Sequence, residues 1–172
     1  VNPKRKGSAF ERKICKSLSE WYSSGINANI FWRTSSSGAR ATQKSLTVHR
    51  GDITNIENEG IEFIRFFVIE CKSYKEIDFL KAIDVPFGGW YKWWQQCEKD
   101  ALASDRHPFL IMHRNNHGTY VVLHTDILKK IFTIPTTIPI ISFCDLTLMS
   151  FTNFLKYIPP RNIKDFIKST SC

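Results

Sequence analysis

The sequence has no apolar run approaching the roughly 18 residues that a membrane-spanning helix needs. Its basic N-terminal residues are not followed by the apolar core of a signal peptide. Those two absences set the expectation of a soluble, unsecreted, cytoplasmic protein with no membrane partner. None of the five cysteines, Cys15, Cys71, Cys97, Cys144 and Cys172, forms a Cys-x-x-Cys pair, so the common zinc and redox spacings are missing and reduced thiols are expected. Internal repeats and low-complexity tracts are also missing. From Arg33 to Arg50 there is not one acidic residue. Against these absences stand 172 residues, a formal charge of +8, thirteen Phe and five Trp. The length suits one compact domain with a core of its own. The charge asks for an acidic partner, nucleic acid or an anionic surface, and some of the many aromatics are expected to face it.

The stretch at residues 64–73 organises the rest. Phe66, Phe67, Val68 and Ile69 form a β-favouring apolar run that ends in Glu70, Cys71 and Lys72. Strand residues alternate faces, which points Glu70 and Lys72 one way and Cys71 the other. Taken alone, Glu-x-Lys is most often a salt-bridged strand end, and only its context can say more. His113, His117 and His124 have neither a cysteine partner nor a helical His pair, so no metal role is expected of them.

The context begins with Phe10, Ile14, Leu18 and Trp21 or Tyr22 at helical spacing, which predicts a helix over residues 9–24. Ser8 and Glu11 match a capping box at its start, although Glu11 also lies at the edge of the apolar stripe and could lean toward a neighbouring sheet. Residues 30–34 predict a short strand, and the following loop, with Ser35, Ser36, Ser37, Gly38, Arg40 and Lys44, is dense in groups that suit phosphate oxygens. Gly51 and Asp52 open a second strand over residues 52–56. Asn58, Glu59 and Gly60 predict a hairpin turn into one long strand over residues 61–71, which would bring Asp52 beside Glu70. Trp90, Trp94, Cys97 and Ala101 keep helical spacing, with Trp93 and Gln96 on an adjoining face that is freer to meet a ligand. Residues 108–113 and 119–124 predict two strands around a turn. Beyond them the sequence predicts a short helix capped by Asp126, an edge strand over 133–143, an amphipathic segment over 146–157 and a basic, partly helical tail.

That order gathers Glu11, Asp52, Glu70 and Lys72. Two carboxylates about 4 Å apart at an effective dielectric of 20 repel by roughly 4 kcal/mol, so convergence requires a compensating proton or cation. A hard divalent ion with oxygen ligands suits them, and the surrounding Lys and Arg suit a phosphate-bearing ligand.

Gly51-Asp52 followed by Glu70-Cys71-Lys72 resembles the signature of the PD-(D/E)xK nuclease superfamily, with Gly51 where that pattern often has Pro. The N-terminal stretch from Arg5 to Arg12, the Ser-rich loop after Arg33, and Gln96-Cys97-Glu98-Lys99 leading to Pro108-Phe109-Leu110-Ile111 resemble the archaeal-type Holliday junction resolvases within it. The resemblance implies an α/β fold, a central mixed β-sheet flanked by helices with a restriction-endonuclease-like αβββαβ core. It covers about residues 4–124 and leaves 125–172 as a C-terminal extension of a single nuclease domain.

It further implies a DNA endonuclease that uses Mg²⁺, with Mn²⁺ substituting, and a phage relative would work in the host cytoplasm. Asp52 and Glu70 would bind the metal with the Cys71 backbone carbonyl, Glu11 would assist or ligate, Lys72 would activate water, and Gln96 would support the site. Lys4, Arg5, Lys6, Arg33, Ser35, Ser36, Ser37, Arg40, Lys44 and Lys75 would contact the DNA, a branched or four-way junction, and a homodimer would cut its two strands. A sequence-specific restriction or nicking enzyme and a non-catalytic nucleic-acid-binding module remain as alternatives, since one fold hosts many functions.

Overall fold

The computed structural model describes residues 3–34, 50–81, 85 and 88–170. In chain order the elements are α1 (Pro3–Tyr22), β1 (Phe31–Arg33), β2 (Ile53–Asn55), a 3₁₀ turn (Asn58–Gly60), α2 (Ile61–Phe66) and β3 (Phe67–Tyr74). Then follow α3 (Tyr91–Leu102), β4 (His107–Arg114), β5 (Gly118–His124), α4 (Thr125–Ile131), β6 (Ile140–Phe143), β7 (Leu146–Ser150), α5 (Phe151–Tyr157) and α6 (Pro160–Thr170).

Five strands form one mixed sheet in the order β3-β4-β5-β7-β6. β3 and β4 run parallel, with Glu70 opposite Leu110 and Lys72 opposite Met112, and α3 makes the crossover between them. The other pairs are antiparallel. Ile69, Cys71, Phe109, Ile111 and Val121 face a core built with Ile14, Leu18 and Trp21 of α1. On the opposite face Leu110, Met112 and Val122 pack against Trp90, Trp94 and Cys97. Helices on both faces of a mixed sheet give the expected α/β, restriction-endonuclease-like architecture.

Helix α1 starts at Pro3, earlier than the expected Ala9, and proline is well suited to a first helical turn. Ser8 and Glu11 therefore lie inside the helix and form no capping box. Lys4, Arg5 and Lys6 belong to its first turns. The expected strand over residues 61–71 is half helix. Residues 61–66 form α2, which buries Phe63 and Ile64, and the strand begins only at Phe67. In the 3₁₀ turn before it Gly60 lies hard against Ile30 and Phe31: a Cβ there would come within 2.7 and 2.8 Å of their side chains, so no larger residue fits.

β2 therefore forms no hairpin with β3. It pairs antiparallel with β1, Arg33 opposite Ile53, as a two-stranded ribbon beside the large sheet.

The C-terminal third also departs in detail. Asp126 sits in the first turn of α4 without capping it, 3.9 Å from Lys130, and His124 is the N-cap residue. The edge strand spans only Ile140–Phe143 of the expected 133–143. Residues 146–157 divide into β7 and α5, whose N-terminus Ser150 caps by accepting from the Asn153 amide at 3.1 Å. Ile127, Leu128, Phe154, Ile158, Ile163 and Ile167 share the buried cluster of α1, and Trp21 Nε1 donates to the Ile158 carbonyl at 2.9 Å. Residues beyond 124 thus close one face of the sheet. No helix among the described residues is long and apolar enough to cross a membrane.

Candidate active site

The ribbon meets the free edge of β3 at one short segment, residues 50–52. The Asp52 amide donates to the Ile69 carbonyl at 2.8 Å, and the Asp52 Oδ2 accepts from the Cys71 amide at 2.8 Å. Gly51 makes this approach possible. Its φ is +94°, and a Cβ would lie 2.9 Å from the Ile69 oxygen and 3.3 Å from Val68 Cγ1. Proline, with φ fixed near −65°, cannot take that conformation, so the residue that often precedes the acid in the resembled pattern would not fit here.

The segment is held from several sides. Thr34 Oγ1 donates to the Gly51 carbonyl at 2.8 Å and the Thr34 amide to the Asp52 carbonyl at 2.9 Å. Arg106 donates through Nη2 to the Arg50 carbonyl at 3.3 Å and through Nη1 to the Ile64 carbonyl at 2.9 Å. Arg50 Nη1 in turn pairs with Asp100 on α3 at 3.1 Å.

On β3 the alternation places Glu70, Lys72 and Tyr74 on the α3 face and Cys71 in the α1 core, as the sequence indicated. Lys72 Nζ donates to Glu70 Oε2 at 2.9 Å, with the Glu70 side chain 9% exposed and that of Lys72 23%. Burial first, and then the adjacent Glu70 charge, raise the Asp52 pKa to about 6 against the opposing pull of the Cys71 amide and of Lys72. Burial pulls the Lys72 ammonium down, but the Glu70 carboxylate and then Asp52 outweigh it, and the net shift is upward. Lys72 is a firmly charged cation beside two acids.

The structure therefore brings Asp52, Glu70 and Lys72 together. Glu11 stands apart from them, on α1, where its Oε2 accepts from Arg33 Nε at 2.8 Å. It is near enough to Cys71 to help, after burial and Asp52, to push that thiol's pKa well up. Gln96 is exposed on α3, on an edge it shares with Trp93 and Asp100. Of the expected DNA contacts, Lys6 donates to Asn115 Oδ1 at 2.7 Å and Lys75 is exposed just after β3. Lys4 and Arg5 lie in the first turns of α1, and Arg33 is engaged with Glu11. Ser35, Ser36, Ser37, Arg40 and Lys44 lie outside the described residues.

The donor set fits a hard divalent cation. Two carboxylates are adjacent, and an edge strand sends the N–H and C=O of one residue to the same side, so the Cys71 carbonyl leaves β3 toward Asp52 as its amide does. The repulsion that lifts Asp52 is what such a cation would relieve. No group of three or more His, Cys, Asp or Glu side chains suited to a metal occurs among the described residues, so backbone, water or phosphate oxygens would complete the shell.

Compared with known protein families, residues 2–165 match the model described as phage putative PDDEXK endonuclease. The chain belongs to that family. It is thus a nuclease of the PD-(D/E)xK type, phage-related, and nucleases of this type generally use divalent metals. The family match extends through α5 and into the first half of α6, in keeping with the place of Phe154, Ile158 and Ile163 in the core. No match is found among curated proteins or among solved structures.

Sequence reasoning missed Thr34, Arg50 and Arg106, which hold the Asp52 segment in place. Arg106 is 56 residues from Arg50 and 42 from Ile64, and nothing local marks such a contact.

Proposed function

We propose that this family member is a Mg²⁺-dependent DNA endonuclease, a single nuclease domain acting on branched DNA, a four-way junction above all, as a homodimer. The observation that carries the catalytic part is the Asp52 carboxylate held on the edge of β3 beside the Glu70–Lys72 pair. The branched substrate and the dimer are supported by the resemblance of the element order to junction resolvases and by the two-fold symmetry that paired cuts require. Mn²⁺ is expected to substitute for Mg²⁺.

Asp52, Glu70 and the Cys71 carbonyl would hold the cation. When bound, it supplies an acidified water and a positive charge on the scissile phosphate. The chain's own residues do the rest. Lys72, kept charged by Glu70 and Asp52, orients the attacking water and offsets negative charge developing on the phosphoryl oxygens. Arg33, on the ribbon beside the site, can exchange its Glu11 partner for a phosphate, which would free Glu11 to assist. Gln96 supports the site from α3. Lys4, Arg5, Lys6 and Lys75, together with the serines and cations of residues 35–44, hold the DNA backbone.

The test is cleavage of four-way junction, linear duplex and single-stranded DNA in Mg²⁺ by the wild type and by Asp52→Ala. Symmetric cutting of the junction that Asp52→Ala abolishes is expected. Activity that survives the substitution refutes the assignment, and equal cutting of all three substrates refutes the junction preference.

A further inference from the structure

Beside the acids and the lysine stands a ring pair that the catalytic reading leaves unused. Tyr74, the last residue of β3, stacks on Trp93 of α3 with ring centroids 4.4 Å apart and planes 20° from parallel. Trp93 packs against the buried cluster on that face of the sheet, but Tyr74 does not belong to it and is 46% exposed. A tyrosine at a strand end most often covers apolar neighbours. With the indole on one side and nearly half its surface in water, this ring covers little and keeps one face open.

Its position gives the open face a purpose. Glu70, Lys72 and Tyr74 share one face of β3, so Tyr74 lies about 7 Å along the strand from Lys72. That is about two rises of 3.4 Å along a duplex strand, and fewer along an unstacked strand, which extends further per nucleotide. The surroundings are polar and of both charges: Lys75 is exposed next in the chain, Arg114 lies opposite Tyr74 in register and pairs with Glu76 at 3.0 Å, and the Asn115 amide donates to the Tyr74 carbonyl at 3.1 Å. Lys6 reaches Asn115 from α1. A base inside a continuous duplex is stacked on both faces and offers none to a protein ring, whereas an unpaired base does.

We propose that Tyr74, backed by Trp93, is a stacking platform for an unpaired nucleobase one or two nucleotides from the phosphate at Lys72, so that the preferred substrate is unstacked near the cut. The position of that phosphate rests on the nuclease reading. The platform explains at residue level how a single-stranded gap, or a branch point at which a terminal base pair has opened, would be told from continuous duplex.

The test is binding without metal, in chelator, followed by fluorescence anisotropy. The probes are a continuous DNA duplex, the same duplex with a three-nucleotide single-stranded gap, and the gapped duplex with the gap made abasic. Wild type should bind the gapped duplex about tenfold more tightly than the other two. Tyr74→Ala should lose that tenfold and become indifferent to the abasic change, and Tyr74→Phe should keep the preference. Binding of all three probes within twofold by wild type, or a preference that persists in Tyr74→Ala, overturns the proposal. The abasic probe reads wild-type protein and so does not depend on any variant folding. Cleavage in Mg²⁺ is scored separately: base-dependent binding without cleavage would refute the nuclease reading and support the platform.

Discussion

Asp52 and Cys71, nineteen residues apart, are joined by a 2.8 Å hydrogen bond from the Cys71 amide to the Asp52 carboxylate. That bond fixes one acid beside another, Glu70, on the edge of β3, and the cost is visible in an Asp52 pKa raised to about 6 by burial and by the Glu70 charge. The local arrangement is electrostatically unfavourable without a cation, which is how metal sites built from carboxylates behave.

A pH dependence follows for the metal-free protein. An Asp whose folded pKa lies near 6 and whose unfolded value lies near 3.8 binds more protons folded than unfolded between those values. Stability should therefore fall as pH rises from about 4 to about 6, by on the order of 2 kcal/mol. Urea unfolding in chelator across that range measures it. His107 and His113, whose pKa values are lowered chiefly by burial, favour stability as pH rises toward 6.5. Comparison with Asp52→Asn isolates the Asp52 contribution, and a wild type and variant with the same pH slope would contradict the prediction.

Gly51 should tolerate no side chain. Gly51→Ala meets both a φ of +94° and a 2.9 Å contact with the Ile69 oxygen, and should lose about 2 kcal/mol or more of stability. Gly51→Pro should be worse, since its ring forbids the observed φ. Thermal unfolding with a cleavage assay measures both, and a Gly51→Pro protein as stable and active as wild type would show the segment to be built differently.

Lys72→Met keeps most of the side-chain volume and removes the charge. Cleavage should fall by about 100-fold or more, the loss typical when one donor to a developing oxyanion is removed. Metal-free DNA binding should change far less, so the loss should sit in the chemical step under single-turnover conditions. An equal loss in binding and in rate would make Lys72 a phosphate anchor instead.

The Glu11–Arg33 pair is a partly exposed contact, and its direct worth to stability should be below about 1 kcal/mol. Glu11→Gln should leave the fold intact and lower cleavage by about tenfold, less than any change at Asp52 or Glu70. Double-mutant unfolding and kinetic measurements with Arg33→Ala test this. A loss as large as that of Asp52→Ala would place Glu11 among the metal-holding acids.

What the sequence showed and what it hid divide along physical lines. The apolar run before Glu70 and its alternation with Lys72 identified the central strand, because a buried strand writes its pattern locally. The α3 stripe of Trp94, Cys97 and Ala101 was legible for the same reason. Residues 61–66 misled: Ile61, Phe63, Ile64 and Phe66 suit a strand, but the adjacent pair Phe63 and Ile64 is buried from a helix, α2, before β3 begins. The nearness of Asp52 to Glu70 was expected through a hairpin that does not form, and it arises through a ribbon whose strands are β1 and β2. Glu11 had a local signal for a helix cap, and its partner proved to be Arg33, twenty-two residues away. Long-range choices of that kind leave no mark on a neighbouring residue.

The most direct measurement is single-turnover cleavage of a labelled DNA four-way junction by Asp52→Asn, with Mg²⁺ and with chelator. Asparagine can still accept the Cys71 amide through its carbonyl oxygen, so the backbone geometry is kept and only the charge is lost. Wild type should cut in Mg²⁺ and not in chelator, and Asp52→Asn should be at least about 1,000-fold slower, ~4 kcal/mol at the transition state. Cleavage by wild type in chelator, or an Asp52→Asn protein that cuts at the wild-type rate, would contradict the assignment of Asp52 and Glu70 as the pair that holds the catalytic cation.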